Sequence, residues 1–338
     1  MFKSKSRDRP EASHRSERQV DFRFSGHETF VCRYAWLPKA AQALLGDYSI
    51  LISSREDDAM VELGVGKNMV RSIRFWAEAA DVILPVEGGH QLTDFGRDLL
   101  IGTESTPPLD PFLEDVQTLW LLHWKLSTNS RALIFAWDFL MNEFQGPELY
   151  ASTAIRAFQK ALPVASQKEI SQGSLEQLYE VFLHSYVPRR ARKGEVREEE
   201  LDCPLIELDL LRHTGFTTAS LHSSRPEPKF AFRREEKLEI GSALFAYCLN
   251  EFWRTRFWSS YTHELTIPLH TISNGRGSPG QVFKIPEADI RKRLHALDET
   301  TEGTFRFEES AAIPILVRRS DAHDLALSSV YAGEEDYV

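Results

Sequence analysis

The sequence predicts a mostly α-helical protein that carries small β wings. Apolar residues recur at three- and four-residue steps through much of the 338-residue chain, which is typical of helices with one buried face. Short strand-like runs stand in pairs, and a helix followed by such a pair occurs once near each end. We therefore expect an N-terminal winged helix-turn-helix, a central helical region, and a C-terminal α+β region that is winged-helix-like.

The same patterns divide the chain into segments. The first is expected to be a disordered basic tail, because it is polar throughout. The charged stretch before the last segment is expected to be an exposed linker, with a loop that contacts a DNA backbone as the alternative. The predicted segments are the tail at 1–20, the winged helix-turn-helix at 21–104, the helical domain at 105–190 and the α+β domain at 200–330.

The elements of the N-terminal domain are predicted in a definite order. A first helix is expected over residues 28–45, and a short second helix begins near Arg55 with acidic residues in its first turn, where the helix dipole favours them. The glycines of GVGKN make a tight turn. A third helix ends near Ala80, a hairpin turns at two adjacent glycines, and Thr93 begins a fourth helix.

This order of elements is that of a winged helix-turn-helix, which commonly places the helix after the turn in the major groove. From Leu63 to Ala77 the sequence has three cations and no acid, so the third helix is expected to carry a positive field. Backbone N–H groups at its start could also hold a phosphate. The alternative is a winged helix that contacts only proteins. The residues expected to contact DNA are Gly66, Lys67, Asn68, Arg71 and Arg74.

The FSGHETF sequence contains more polar residues than a helix cap requires. Ser25 followed three residues later by Glu28 fits a helix capping box. His27 and Glu28 could serve as a general base and a metal ligand, and Arg33 could hold a phosphate. The predicted catalytic residues are Ser25, His27, Glu28 and Arg33, with Glu28 also the predicted ligand of magnesium or manganese. A purely structural role for this stretch is the alternative.

The central region has four apolar stripes at helical spacing. Its aromatic residues are expected in the core, with a stacking platform for bases as the alternative. His123 and His184 lie within these stripes and are expected to be core histidines with hydrogen-bond partners. The aromatic residues concerned are Trp120, Trp124, Phe135, Trp137 and Phe139.

The C-terminal region is predicted to begin with a strand at Phe230 and Phe232 and a helix from about Ser242. A helix after Pro286 and the strands TFRFEE and IPILVRR then repeat the order helix, hairpin.

A fragment of a nuclease pattern lies in the same region. Glu235, Glu236 and Lys237 resemble the Glu-x-Lys part of restriction-type nucleases, and Asp209 could be the accompanying carboxylate. In a chain with 27% charged residues, the alternative is a chance match.

Composition excludes several classes of protein. Hydrophobic residues make up 42% of the chain, so a globular protein is expected. The apolar runs are shorter than the roughly 20 residues of a membrane span, and the first residues lack the apolar core of a secretory signal. We therefore expect a cytoplasmic protein without membrane contact. The three cysteines are widely spaced and indicate reduced thiols. The net charge of −10 requires any DNA-binding surface to be local.

Three segments together, FSGHETF, DDAMVELGVGKNMVRSIRFWAEA and LTDFGRDLL, resemble an SspB-like family. This is a numbered domain-of-unknown-function family associated with DNA phosphorothioation and phage-defence genes. The resemblance is close over residues 22–100 and looser beyond them.

The resemblance implies a DNA nicking endonuclease, a hydrolase that would cut one strand so that sulfur can replace a non-bridging phosphate oxygen. It also implies double-stranded DNA, a desulfurase, an ATPase and a sulfur-transfer component as partners. A homodimer is a further expected assembly. The alternative is a non-catalytic DNA-binding subunit that positions partner modification enzymes.

Overall fold

A computed structural model describes residues 21–166, 169–189, 203–218, 226–258, 263–309, 312–321 and 323–332. The predicted basic tail and most of the predicted charged linker lie outside these residues.

The N-terminal region has the predicted order of helices and strands. Gly64 ends the second helix in the left-handed conformation, with φ at 65°, and the third helix begins three residues later. The Thr93 hydroxyl accepts from the Gly96 N–H at 2.9 Å, so the predicted start of the fourth helix is confirmed. The elements are α1 (Trp36–Gly46), α2 (Glu56–Leu63), α3 (Lys67–Ala79), β1 (Ile83–Val86), β2 (Gly89–Leu92) and α4 (Asp94–Leu100).

The first helix begins later than predicted. Residues 28–35 are not helical, and α1 starts at Trp36 without a side-chain cap. Glu28 and Thr29 have φ values of 48° and 69°, which right-handed helical residues do not adopt. The capping box at Ser25 and Glu28 was therefore a wrong prediction.

The central helices form the predicted core. All five aromatic residues expected there are buried. His123 is also buried, and its ring nitrogens lie 2.7 Å from the Tyr186 hydroxyl and 2.8 Å from the Val282 carbonyl oxygen. His184 is half-buried and lies 3.1 Å from a Glu180 carboxylate oxygen. The helices are α5 (Val116–Thr128), α6 (Phe135–Asn142), α7 (Ala151–Ala165) and α8 (Gln172–Tyr186).

The C-terminal region contains two small antiparallel sheets and confirms the second helix-then-hairpin order. One sheet pairs β3 with β4, and the other has the order β5-β7-β6. The elements are β3 (Leu211–Phe216), β4 (Pro228–Phe232), α9 (Ser242–Phe257), β5 (Thr266–Pro268), α10 (Leu269–Asn274), α11 (Pro279–Val282), α12 (Glu287–Thr300), β6 (Phe305–Glu308) and β7 (Ile315–Arg318).

The nuclease pattern is not assembled in this region. Lys237 is buried, and its ammonium donates to backbone carbonyl groups, including that of Lys284 at 3.3 Å. Asp209 and Glu235 both pair with Arg212, at 2.7 and 3.1 Å. The ammonium is thus bonded to backbone carbonyl groups and the two carboxylates are paired with an arginine, so the chance match is the better interpretation.

The three regions pack into one body. The side-chain amide of Asn129 donates to the carbonyl oxygens of Glu78 and Ala79, at 2.9 and 3.2 Å, and so attaches the end of α3 to the end of α5. Lys125 on α5 lies 3.4 Å from Asp81, just beyond α3. Buried side chains from all three regions belong to one hydrophobic cluster. The domain boundaries drawn from the sequence stay predictions.

Two further properties concern the whole chain. Cys32, Cys203 and Cys248 are all free and buried, as expected for reduced core thiols. Among the described helices, none combines the length and apolar character needed to cross a bilayer.

Candidate nucleic-acid interface

An irregular loop, residues 24–33, lies directly against α3. The Ser72 hydroxyl donates to the His27 carbonyl oxygen at 2.9 Å, and the Trp76 indole N–H donates to the Phe30 carbonyl oxygen at 3.1 Å. Both donors lie on the buried side of α3. The helix therefore determines where the backbone of the FSGHETF sequence runs, and two segments singled out separately in the sequence form one surface.

The loop backbone is strained. Glu28 and Thr29 occupy the left-handed region in succession, at a cost of roughly 1 kcal/mol or more for each residue. Gly26 has a φ of 112°, and a Cβ atom at this position would lie 2.9 Å from the ring of Phe75. Only glycine fits there without displacing the aromatic ring. Backbone strain of this kind tends to accumulate at functional sites.

His27 is buried beneath this loop, with 3% of its surface exposed. Its Nδ1 accepts from the Thr29 N–H at 3.2 Å, and its ring meets the ring of Phe75 edge-on at 5.6 Å between centroids. Nε2 is buried and has no hydrogen-bond partner among the described residues. Burial lowers the pKa of His27 to about 4, so the imidazole is neutral at pH 7 and is shielded from solvent.

Arg71 is paired with a carboxylate of the preceding helix. Its Nε and Nη2 donate to the two carboxylate oxygens of Glu56 at 2.8 and 3.0 Å. Its pKa is raised, mainly by these bonds and to a smaller extent by the nearby charge of Glu28. Lys67 also pairs with Glu56, at 3.2 Å. The expectation that no acid offsets the cations of α3 is therefore wrong, because Glu56 comes from the preceding helix.

The other predicted DNA contacts occupy different environments. Gly66 and Asn68 are exposed at the start of α3, and 52% of the Lys67 side chain is exposed. Arg74 is half-buried and donates to the Leu51 carbonyl oxygen at 2.8 Å. Arg74 thus supports the chain that leads into α2, and the exposed face of α3 is formed mainly by its first turns.

The remaining predicted catalytic residues have other surroundings. Ser25 is exposed. Arg33 is half-buried, and its guanidinium lies over the rings of Phe30 and Trp36, at 6.0 and 5.4 Å from their centroids. The structure thus brings His27, Glu28 and Arg71 to one place and gives Arg33 an aromatic environment.

Glu56 was not predicted to be part of this surface. It was interpreted with its neighbours as an acid favoured by the dipole of α2. Its side chain is 7% exposed, and its pKa is lowered to about 2, chiefly by hydrogen bonding from Arg71. The burial of Glu56 against two cations becomes visible only when the packing of α2 on α3 is known.

The surface does not contain a complete metal site. Within the described ranges, no three His, Cys, Asp or Glu side chains are grouped so that they could hold a metal ion. Glu28 acts on Arg71 through its charge, and the carboxylate of Glu56 is taken up by Lys67 and Arg71. The residues present therefore do not fit a site in which the protein alone encloses a divalent ion.

Comparisons with known proteins identify a family and two similar structures. Residues 24–331 match the model of a family described as protein of unknown function, DUF4007. A magnesium ion-bound crystal structure of SspB is 25% identical, with a TM-score of 0.72, and the alignment covers 87% of this chain and 82% of that one. A second SspB crystal structure has 23% identity, a TM-score of 0.71 and coverages of 89% and 86%, and shows the fold alone. No curated protein matches significantly.

Proposed function

Since the chain belongs to the DUF4007 family, we propose that it is a DNA-binding protein that acts as the nicking endonuclease component of a phosphorothioation-based antiphage defence system. In this proposal the N-terminal region is a winged helix-turn-helix that places α3 in the major groove. The similarity to a magnesium-bound SspB structure supports the setting, as does the sequence resemblance.

One observation carries the proposal. The loop that contains His27 and Glu28 lies on the same helix that presents Lys67 and Arg71. A phosphate that reached Arg71 would therefore also lie near Glu28, because the charge of Glu28 already acts on that guanidinium. Positively charged side chains supply most sequence-independent affinity for DNA. DNA binding and strand cleavage could thus share one surface.

A divalent ion, magnesium or manganese, belongs to the proposal, and Glu28 is its predicted ligand among the described residues of this surface. His27 could act as a base only after the loop had exposed Nε2, since that atom is now buried. Arg71 has the simplest role, which is to hold a phosphate through a charge-assisted hydrogen bond.

Relaxation of supercoiled plasmid tests the enzyme proposal. We expect the full chain to convert supercoiled plasmid to open circles with magnesium or manganese, and to lose this activity in EDTA. Glu28→Gln should lose nicking, whereas Glu62→Gln, which changes an exposed carboxylate on α2, should keep it. A wild-type chain that leaves the plasmid supercoiled with every divalent metal tested would contradict nicking by the isolated protein.

The burial of His27, together with the absence among the described residues of three potential metal ligands grouped at one place, favours a second candidate function. This is a non-catalytic DNA-binding subunit that positions partner modification enzymes, such as a desulfurase, an ATPase and a sulfur-transfer protein. It predicts salt-dependent binding to duplex DNA without relaxation of plasmid under any metal. A homodimer is compatible with either candidate and would be measured by light scattering.

A further inference from the structure

Glu56 differs from its neighbours in the first turn of α2. Asp57 and Asp58 are exposed, as expected for acids that interact with the helix dipole through solvent. Glu56 turns inward, where its side chain is 7% exposed and contacts Lys67 and Arg71. A favourable dipole interaction does not require this burial, so the contacts with α3 need a separate explanation.

The geometry of the contact is that of phosphate recognition. Arg71 presents Nε and Nη2 to two oxygens of one carboxylate, at 2.8 and 3.0 Å, and a guanidinium binds a phosphate in the same two-pronged way. The Lys67 ammonium approaches the same carboxylate at 3.2 Å. Glu56 thus occupies the hydrogen-bonding groups that a DNA phosphate would need.

We propose that Glu56 competes with DNA phosphates for Lys67 and Arg71 and thereby limits the sequence-independent affinity of the protein. This inference rests on the proposed DNA binding by α3. Lys67 and Arg71 both pair with the one carboxylate of Glu56 in the free protein. A phosphate therefore reaches these two cations fully only by displacing Glu56.

The competition would act on one component of binding. Phosphate contacts supply affinity without sequence information, whereas polar groups that reach base edges supply discrimination. Asn68 is exposed next to Lys67 and would be unaffected by Glu56. Phosphate contacts belong to specific and non-specific complexes alike, so a carboxylate that weakens them lowers both affinities. Glu56 in this sense sets the strength of backbone binding without changing which sequence is preferred.

A salt titration of binding to one 30-base-pair duplex tests the inference. Glu56→Gln should bind about tenfold more tightly at low salt, and its plot of log affinity against log salt should be steeper by about one unit. The matched control is Glu62→Gln, which removes the same charge from an exposed position on the same helix. It should behave like the wild type, because distant exposed charges are screened at about 0.1 M salt.

A second substitution locates the effect. In the Glu56→Gln background, Arg71→Gln should remove most of the gain in affinity, because the released guanidinium is the group that meets the phosphate. Thermal unfolding of each variant establishes that it is folded. If Glu56→Gln does not fold, Glu56→Asp replaces it, since the shorter carboxylate keeps the charge at the helix start but retracts from Arg71.

Each outcome decides the inference. Equal affinity and slope for Glu56→Gln and Glu62→Gln would overturn it. Weaker binding by folded Glu56→Gln would also overturn it and would show that the carboxylate orients Arg71. In either case, wild-type binding that depends on salt and on Arg71 would leave the proposed DNA binding intact. A wild-type chain that binds no duplex at low salt would defeat both proposals together.

Discussion

In the described part of the chain, α3 and α12 are each followed by an antiparallel pair of strands, and the charges of these two units are organised differently. The first unit comprises α3, β1 and β2, and the second comprises α12, β6 and β7. No acid occurs in α3 until Glu78 near its end, whereas α12 contains several acids along its length. The carboxylate that pairs with the cations at the start of α3 comes from another helix, namely Glu56 of α2.

The cations of α12 are paired largely within the C-terminal region. Arg293 lies 3.1 Å from Asp289 on the same helix, and Lys292 lies 3.0 Å from Glu236. The same order of elements can therefore carry two kinds of surface. In the first unit the cations pair with a carboxylate from another helix, and in the second they pair with acids of the same region. A function inferred from the order alone would apply equally to both units, so the distribution of charge must decide.

The largest difference between the two units should appear in DNA binding. Replacing Lys67 and Arg71 together with Gln should weaken binding to a duplex about a hundredfold and reduce the salt slope by nearly two units. Gln can still donate to Glu56, so the fold should persist. The corresponding double substitution on α12, Arg291→Gln with Lys292→Gln, should leave affinity and slope unchanged. Equal losses from the two pairs would mean that the units do not differ as proposed.

The second difference should appear in how the stability of the protein depends on pH. The pKa of His27 is lowered by burial from 6.5 to about 4, so protonation favours the unfolded chain. The stabilising contribution is complete above pH 6.5 and is lost as the pH falls towards 4, amounting to about 2 to 3 kcal/mol.

Urea unfolding at several pH values measures this contribution. Folded His27→Gln should lose less stability than the wild type between pH 6.5 and 4. His295→Gln on α12, where the histidine side chain is 53% exposed, should retain the wild-type dependence. A His27→Gln variant with an unchanged pH dependence would show that this imidazole does not remain buried and neutral.

A third comparison uses Gly26, which lies in the loop packed on α3, and Gly303, which belongs to the second unit. Gly26→Ala should reduce the free energy of unfolding by about 2 kcal/mol, because the φ of 112° is unfavourable and the new Cβ would lie 2.9 Å from Phe75. Gly303→Ala, in the turn between α12 and β6, should cost about 1 kcal/mol, since its φ is 78° but the nearest atoms would lie 3.6 Å away. Thermal unfolding measures both losses of free energy. Equal losses for Gly26→Ala and Gly303→Ala would contradict tight packing of the loop on α3.

The smallest expected effect concerns a single ion pair on α12. Lys292→Ala should change the free energy of unfolding by less than about 0.5 kcal/mol, because Lys292 and Glu236 are both exposed. Lys67→Ala should cost more, about 1 kcal/mol, since it leaves the buried Glu56 with one partner fewer. Urea unfolding of the two variants measures both free energies. A larger loss for Lys292→Ala than for Lys67→Ala would contradict this prediction.

The fold could be predicted well where local rules act alone. Val70, Ile73, Trp76 and Ala77 are buried as the helical spacing of α3 requires, and Gly88 allows the hairpin turn through a φ of 73°. These features depend on residues a few positions apart in the sequence, so their signal is visible without a structure.

The candidate site was harder to predict because it depends on distant segments. The capping pattern at Ser25 indicated a helix, but Ser72 and Trp76 hold the loop in another conformation through hydrogen bonds that span more than 40 residues. Likewise, the sequence showed the cations of α3 without showing that Glu56 would fold against them. The residue types indicated which side chains could bind phosphate or metal. They did not indicate which distant side chains would pair with them or how far they would be buried.

The attachment of α3 to α5 has a mechanical consequence. The carbonyl groups of Glu78 and Ala79 at the end of α3 are bonded to the side chain of Asn129, and Lys125 reaches Asp81 just beyond. A torque applied to α3 by a curved or twisting duplex would therefore pass directly into the central helices. The orientation of α3 relative to the central helices would then stay fixed. If α3 binds DNA as proposed, an enzyme attached to the central helices would be held at a constant position along the bound duplex.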